Sequence, residues 1–334
     1  MEPVRARQIQ PTLPQAPVLQ VEVAPACPVC AVEGSVLHEG VPDGFGITAN
    51  AWSFRRCPSR PCGHVWLDPA PTAGDLPRAY DAYPVHGEDA ASPAGAGKRS
   101  LAGNLYRVGL GLAGVRSQRA RLETFRLPPG NGGRLLEVGC GNGARLASLA
   151  ALGYEVEGQD VAPAAVAVTA ARGRTVHHGE LARLGLPDAS YDVIVMNHVL
   201  EHVRHSVDFL RQAHRLLRPG GRLVSIQPNA ASRGHRAFGA DWVGLDPPRH
   251  LHVFTPKSVR AVAQAAGFRD VRVATTAVRR EHWTRDSLRR RAARTGAPAV
   301  AGLEARASLS QLAGLLSVPF APDAGDEIVL EARR

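Results

Sequence analysis

The chain has 334 residues, 44% of them apolar, which at a usual ~100–200 residues per domain allows two or three domains with a sizeable core. Its longest apolar stretches, such as 110–115, fall far short of the ~20 residues that span a bilayer, and residues 1–30 hold Glu2, Arg5, Arg7 and several prolines where a signal peptide would be apolar, so a cytoplasmic protein is expected. The formal charge of +10 would favour phosphate partners, but lysine occurs only at 98 and 257, and the surplus of arginine beside abundant Ala, Gly and Pro has the composition of a GC-rich coding sequence, which discounts that reading.

Residues 1–22, rich in Gln and Pro, are expected to form a disordered tail. Cys27 and Cys30 (CPVC) are followed about 26 residues later by Cys57 and Cys62 (CPSRPC), with Gly63 and His64 behind. Two close pairs at this distance suit a tetrahedral zinc ribbon, in which two short turns each present two thiolates. His64 could replace Cys62 as the fourth ligand. A redox role for CPVC would require a following helix to lower a thiol pKa, and Pro28 does not favour one. Residues 23–85 are therefore assigned to a zinc ribbon with a Pro-rich extension, and 86–126 to a linker and helices, with 86–100 expected to be disordered.

From residue 127 to 334 the pattern is that of a single larger domain. Strands are expected at 134–138, 155–159, 191–196, 222–227, 271–276 and 327–331, and helices at 143–152, 163–171, 205–217 and 256–266. This alternation predicts a doubly wound, mainly parallel sheet that binds its ligand at the carboxyl ends of its strands. Insertions at about 228–252 and 279–318 would stand on that rim. The arginine run at 279–294 has the spacing of a solvated helix face, with an acidic partner as the alternative.

The first strand of this domain runs into Gly139, Gly141 and Gly143, a turn that lets backbone pass close under a ligand. Glycine spacing alone also fits a dinucleotide site. Glu137 argues against that: a carboxylate repels a pyrophosphate, whereas it attracts a ligand carrying a sulfonium and an ammonium. Asp160 ends the next strand, where a carboxylate can accept both hydroxyls of a ribose.

The segments LLEVGCGNG, YEVEGQDVAP, LPDASYDVIVMNHVLEHV, LRPGGRLVSIQPN and PPRHLHVFTPKSVRAVAQAAGF, in this order, resemble class I S-adenosylmethionine-dependent methyltransferases of the small-molecule type with an N-terminal zinc ribbon. The resemblance implies a seven-stranded Rossmann-like α/β sheet whose last strand, GDEIVLEAR, is antiparallel. It also implies that Gly139, Gly141 and Gly143 line the methionine half of the cofactor with Glu137 near its ammonium, that Asp160 holds the ribose, and that Val161 packs on the adenine. Glu180 and Leu181 would contact the adenine edge, and Asn197 and His198 would floor the methyl group.

Methyl transfer from a sulfonium needs an aligned nucleophile and, for a hydroxyl, a group to take its proton. His198, His202 and His250 are the candidates, with His250 preferred because its loop is polar and lies outside the cofactor motifs. The same stretch, His198-Val199-Leu200-Glu201-His202, spells the inverted zinc-protease motif, which is set aside for want of a third ligand. The leading expectation is methyl transfer to oxygen, or to nitrogen or carbon, of a small metabolite, with S-adenosylmethionine and zinc as cofactors. The alternatives are an RNA methyltransferase gripping its substrate with the ribbon and the arginine helix, and a non-catalytic cofactor-binding protein.

Overall fold

The computed structural model describes residues 16–81, 115–297, 302–318 and 320–334. Residues 1–15 and 82–114, the latter taking in most of the expected linker and helices at 86–126, lie outside the described residues. Residues 16–22, assigned by composition to the tail, are instead held: Leu19 is buried, and β1 (Val21–Glu22) pairs with β5 (Ala70–Pro71). The backbone amides of Leu19 and Gln20 donate to Asn50 and Asp75, contacts that composition does not reveal.

The larger sheet contains β6 (Arg134–Val138), β7 (Glu155–Asp160), β8 (Val176–His178), β9 (Tyr191–Asn197), β10 (Leu217–Pro228), β12 (Arg269–Thr276) and β13 (Glu327–Arg333), in the order β12-β13-β10-β9-β6-β7-β8. Only β13 runs against its neighbours, β10 and β12. Seven strands with an antiparallel β13 match the expected fold. β8 was not among the strands drawn from the pattern, because three half-exposed residues carry no alternation to detect.

Successive residues of the central strands enter opposite cores. Leu136, Ile194 and Met196 face one layer, while Leu135, Val193 and Val195 face the other, so these strands read as continuous apolar runs. The first layer is closed by α4 (Ser206–Leu216), which buries Leu210, Ala213 and Leu216 at helical spacing, and by α6 (Pro256–Ala265). α6 begins with a reciprocal capping box between Thr255 and Ser258 and with Pro256 in its first turn. On the other face lie α1 (Val115–Glu123) and the crossover α2 (Ala144–Ala150); α3 (Pro163–Ala171) packs near the β7–β8 edge.

The N-terminal module does not end at residue 85. Its antiparallel strands β2 (Ser35–Pro42), β3 (Ala51–Arg56) and β4 (Val65–Leu67) gain a fourth, β11 (His252–Val253), contributed by the rim of the larger domain. Trp52, Phe54, Val65 and Leu67 share one apolar core with Trp242, Leu245, Leu251, Val253 and Trp283. Trp242 is fully buried in this shared core, and Phe254, also fully buried, packs in the core of the larger sheet.

The rim insertions form α5 (Arg233–Phe238), α7 (Arg280–Thr295) and α8 (Leu303–Ser317). The arginines of α7 are largely engaged in ion pairs, although Arg289 and Arg294 remain exposed on its outer face. Arg291 and Arg294 pair with Asp241, Arg285 with Glu281 and Glu304, and Arg280 with Asp326 inside the protein. No helix among the described residues is long and apolar enough to cross a membrane.

Candidate active site

Gly139, Gly141 and Gly143 all have positive φ, at 68°, 55° and 72°, the conformation that makes a side chain costly. A Cβ at Gly139 would lie 2.4 Å from Val199 Cγ2, and one at Gly143 2.8 Å from Thr169. The turn is fixed from below by groups that the motif does not announce. Gln159 accepts from the Gly139 amide and donates to the Gly179 carbonyl, and Thr169 donates to the Gly141 carbonyl at 2.8 Å. Asp160 accepts from the amides of Gly141 at 2.8 Å and Ala162 at 2.9 Å, so its carboxylate also organises the loop.

Glu137 is fully buried. Arg145, on α2, donates to its Oε1 at 2.8 Å, while Oε2 makes no hydrogen bond among the described residues. Burial pushes the Glu137 carboxyl up to about 6 against the pull of Arg145. Val161 projects 61% exposed beside this loop, an apolar side chain on an otherwise polar rim. Leu181 is buried in the core, and Glu180 is an exposed residue paired with Arg183 at 2.9 Å.

At the end of β9, Asn197 is buried with its Oδ1 lacking a hydrogen bond among the described residues. His198 follows with φ +55°. Its Nδ1 donates to Glu201 and its Nε2 to Glu327, each at 3.0 Å, and its ring lies beside Trp283. Burial would lower its pKa, but the two carboxylates outweigh that and push it up to about 9. Both nitrogens are thus committed and the ring is cationic at neutral pH, which removes His198 from the role of proton acceptor.

His250 comes from the rim loop. Its Nδ1 donates to the Gly244 carbonyl at 2.9 Å, and its Nε2 lies 4.0 Å from Glu201 Oε1. His202 packs edge-on against it, donates from Nδ1 to the Arg249 carbonyl at 3.1 Å and meets the Tyr80 hydroxyl at 3.0 Å. Tyr80, which brings the N-terminal module to this rim, was not singled out from the sequence; only the Tyr-containing stretch after the ribbon hinted at it.

The four cysteines converge. Cys27 and Cys62 place their sulfurs 3.8 Å apart, Cys30 and Cys57 theirs 3.4 Å apart, and all four sulfurs fall within 4.8 Å of one another without a disulfide. Thiolates at ~2.3 Å around a tetrahedral zinc would be spaced about this far apart. His64 points elsewhere, bonding His252 at 3.0 Å and Ser258 at 3.3 Å. A cavity of about 550 Å³ lined by Gly132, Tyr154, Asp192 and Arg218 lies at the amino ends of β6 and β9, opposite to all these groups.

Residues 114–273 match a family described as a methyltransferase domain. These residues form a methyltransferase domain of the S-adenosylmethionine-dependent type. A probable S-adenosylmethionine-dependent methyltransferase of Mycolicibacterium smegmatis is 42% identical over 97 residues, covering 28% of this chain and 38% of that protein. A ubiquinone biosynthesis O-methyltransferase of Cereibacter sphaeroides is 31% identical over 151 residues, covering 42% of this chain and 61% of that protein. The chain thus spans less than two thirds of either relative. A methyltransferase structure from Mesorhizobium loti aligns over 64% of this chain and 98% of its own, with 21% identity and a TM-score of 0.45. The matched methyltransferase segment contains the glycine turn, Asp160, Asn197 and the rim loop through His250, and leaves out the cysteine cluster.

Proposed function

We propose that this protein transfers a methyl group from S-adenosylmethionine to a hydroxyl, or to a nitrogen or carbon, of a small molecule. The observation that carries the reading is the convergence of the left-handed glycine turn, Asp160 and the orphaned Glu137 Oε2 at the carboxyl ends of β6 and β7. A carboxylate oxygen buried without a partner is costly, and the ammonium of the cofactor's methionine would satisfy it. Asp160 would receive the ribose hydroxyls while its backbone contacts keep the loop in place. Val161 offers an apolar surface to the adenine, and Glu180 lies at its edge, with Leu181 packed beneath. Asn197 would stand under the methyl group. The small-molecule O-methyltransferases among the relatives support an acceptor of this class.

The bound cofactor would supply an electrophilic methyl on a leaving group that is already activated. This chain's residues then have to align the acceptor and deal with its proton. With His198 committed to two carboxylates, His250 is the histidine assigned to the acceptor side. The cysteine quartet fits zinc, held by Cys27, Cys30, Cys57 and Cys62 in a structural role. Calorimetric titration with S-adenosylmethionine and with S-adenosylhomocysteine tests the reading: saturable 1:1 binding of both is expected, and absence of both would overturn it.

A further inference from the structure

His198 of the His198–His202 motif is held by Glu201 and Glu327, but the fold brings His250 of the rim loop to the motif's Glu201 and His202. Glu201, His202 and His250 each place a ligand atom within 4.8 Å of the other two. Both imidazoles are oriented by the backbone, His250 through the Gly244 carbonyl and His202 through the Arg249 carbonyl. A carbonyl can only accept, so in each ring Nδ1 carries the proton, which at His202 the Tyr80 hydroxyl oxygen also accepts, and Nε2 presents its lone pair. Metal-ligating histidines are held in this way, with the far nitrogen bound to a carbonyl or carboxylate. Glu201 is fully buried, and its Oε2 makes no hydrogen bond among the described residues. The two segments are also bolted together: the Glu201 carbonyl accepts from the amides of Leu251 at 2.9 Å and His252 at 3.1 Å.

We propose that Glu201, His202 and His250 form a binding site for a divalent first-row transition ion, held by one carboxylate oxygen and two Nε2 atoms. Two imidazoles and a carboxylate select ions of the iron, manganese, cobalt and zinc group over calcium or magnesium. Three protein ligands leave coordination positions open. The role of those positions rests on the methyl-transfer reading: a hydroxyl of the acceptor occupies one of them and loses its proton to water under the pull of the ion. Its oxygen then forms the O–CH3 bond while the S–CH3 bond breaks and the electron pair returns to sulfur, giving S-adenosylhomocysteine. His250 acts here as a ligand that positions the hydroxyl through the ion.

Cobalt(II) is the probe. Full-length protein, purified without chelator so that the cysteine quartet keeps its metal, is titrated with cobalt, and the weak visible absorption of nitrogen and oxygen coordination is followed. That signal differs from the intense near-ultraviolet band of cobalt on thiolates. Wild type should gain about one equivalent, and His250→Gln and His202→Gln should each weaken binding at least ~100-fold, as loss of a ligand should cost no less than loss of an outer partner. The exposed His282→Gln should bind as wild type does. Affinity for S-adenosylmethionine, measured on the same preparations, shows that the variants are folded and separates the two proposals. Cofactor binding without a cobalt signal in wild type, or with unchanged cobalt affinity in both histidine variants, overturns the site. A cobalt site without cofactor binding overturns the methyl-transfer reading and leaves the metal site standing.

Discussion

Arg249 and Asp43, 206 residues apart in sequence, form a fully buried ion pair with Nη2 and Oδ1 2.6 Å apart. Asp246 takes the other side of the same guanidinium at 2.9 Å, and Arg249 also donates to the carbonyls of Ala79 and Pro247. The arrangement fastens the N-terminal module to the loop that carries His250.

Removing the arginine should therefore be more damaging than removing the whole pair. Arg249→Met leaves buried Asp43 without its cation and Asp246 with only the more distant Arg290 at 3.9 Å, for which about 3–5 kcal/mol of lost stability is expected. Adding Asp43→Asn should recover part of that loss, because one of the stranded charges is gone. Urea denaturation of the single and double variants measures both. Equal stability of Arg249→Met and wild type would show that the pair does not hold the two parts together.

Metal at the cysteine quartet should depend on Cys62 and not on His64. Cys62→Ser should lose the thiolate-bound zinc by elemental analysis, while His64→Ala, whose ring bonds His252 and Ser258, should retain it. The Cys62 carbonyl accepts from the Thr255 hydroxyl at 2.7 Å, at the cap of α6, so zinc loss should also lower the thermal midpoint of the whole chain. Retention of zinc by Cys62→Ser together with its loss in His64→Ala would exchange the two ligands.

The sheet was legible because its buried strands are apolar runs broken by glycine and proline signals. The 134–138 strand and the 163–171 helix end where the pattern placed them. The cysteine quartet was legible because two tight pairs can converge whatever lies between them. The roles of the histidines were not. His198 is held between Glu201 and Glu327, and Glu327 arrives on β13 from the far end of the chain, so no spacing near residue 198 announces it. For the same reason the pairing of Arg280, Arg291 and Arg294 was not legible: their acidic partners, Asp241 and Asp326, are distant in sequence.

Asp160 should matter to the cofactor in two ways that substitution can separate. Asp160→Ala loses the ribose contacts and also the acceptor of the Gly141 and Ala162 amides. Charge-assisted bonds of this kind contribute roughly 2–4 kcal/mol, so affinity for S-adenosylhomocysteine should fall about 30–1000-fold. Asp160→Asn keeps an acceptor for the loop and should lose less. Calorimetry that finds both variants binding like wild type would remove Asp160 from the cofactor site.

Glu137 links cofactor binding to stability with a definite sign. Its carboxyl is pushed up to about 6 by burial, above the ordinary value of 4.5, so the folded protein holds this proton more tightly than the unfolded chain does. Below about pH 4.5 both states are protonated and the group contributes no pH dependence. As pH rises through 4.5 to 6 the unfolded chain ionises first, folding loses stability, and above about 6 the penalty levels off near 2 kcal/mol, at about 1.4 kcal/mol per pKa unit. Glu137→Gln removes the charge and with it the penalty. Without cofactor the variant should be more stable than wild type by up to about 2 kcal/mol at pH 7.5 and nearly equal to it at pH 4.5. The same change takes the carboxylate from the cofactor's ammonium, so affinity for S-adenosylmethionine should drop about 10–100-fold, the worth of one charge-assisted hydrogen bond. Urea denaturation at the two pH values and calorimetry at the higher one give both readings. A variant less stable than wild type at both pH values would show that the Arg145 pair outweighs burial, and unchanged affinity would leave Glu137 a support for the glycine turn alone.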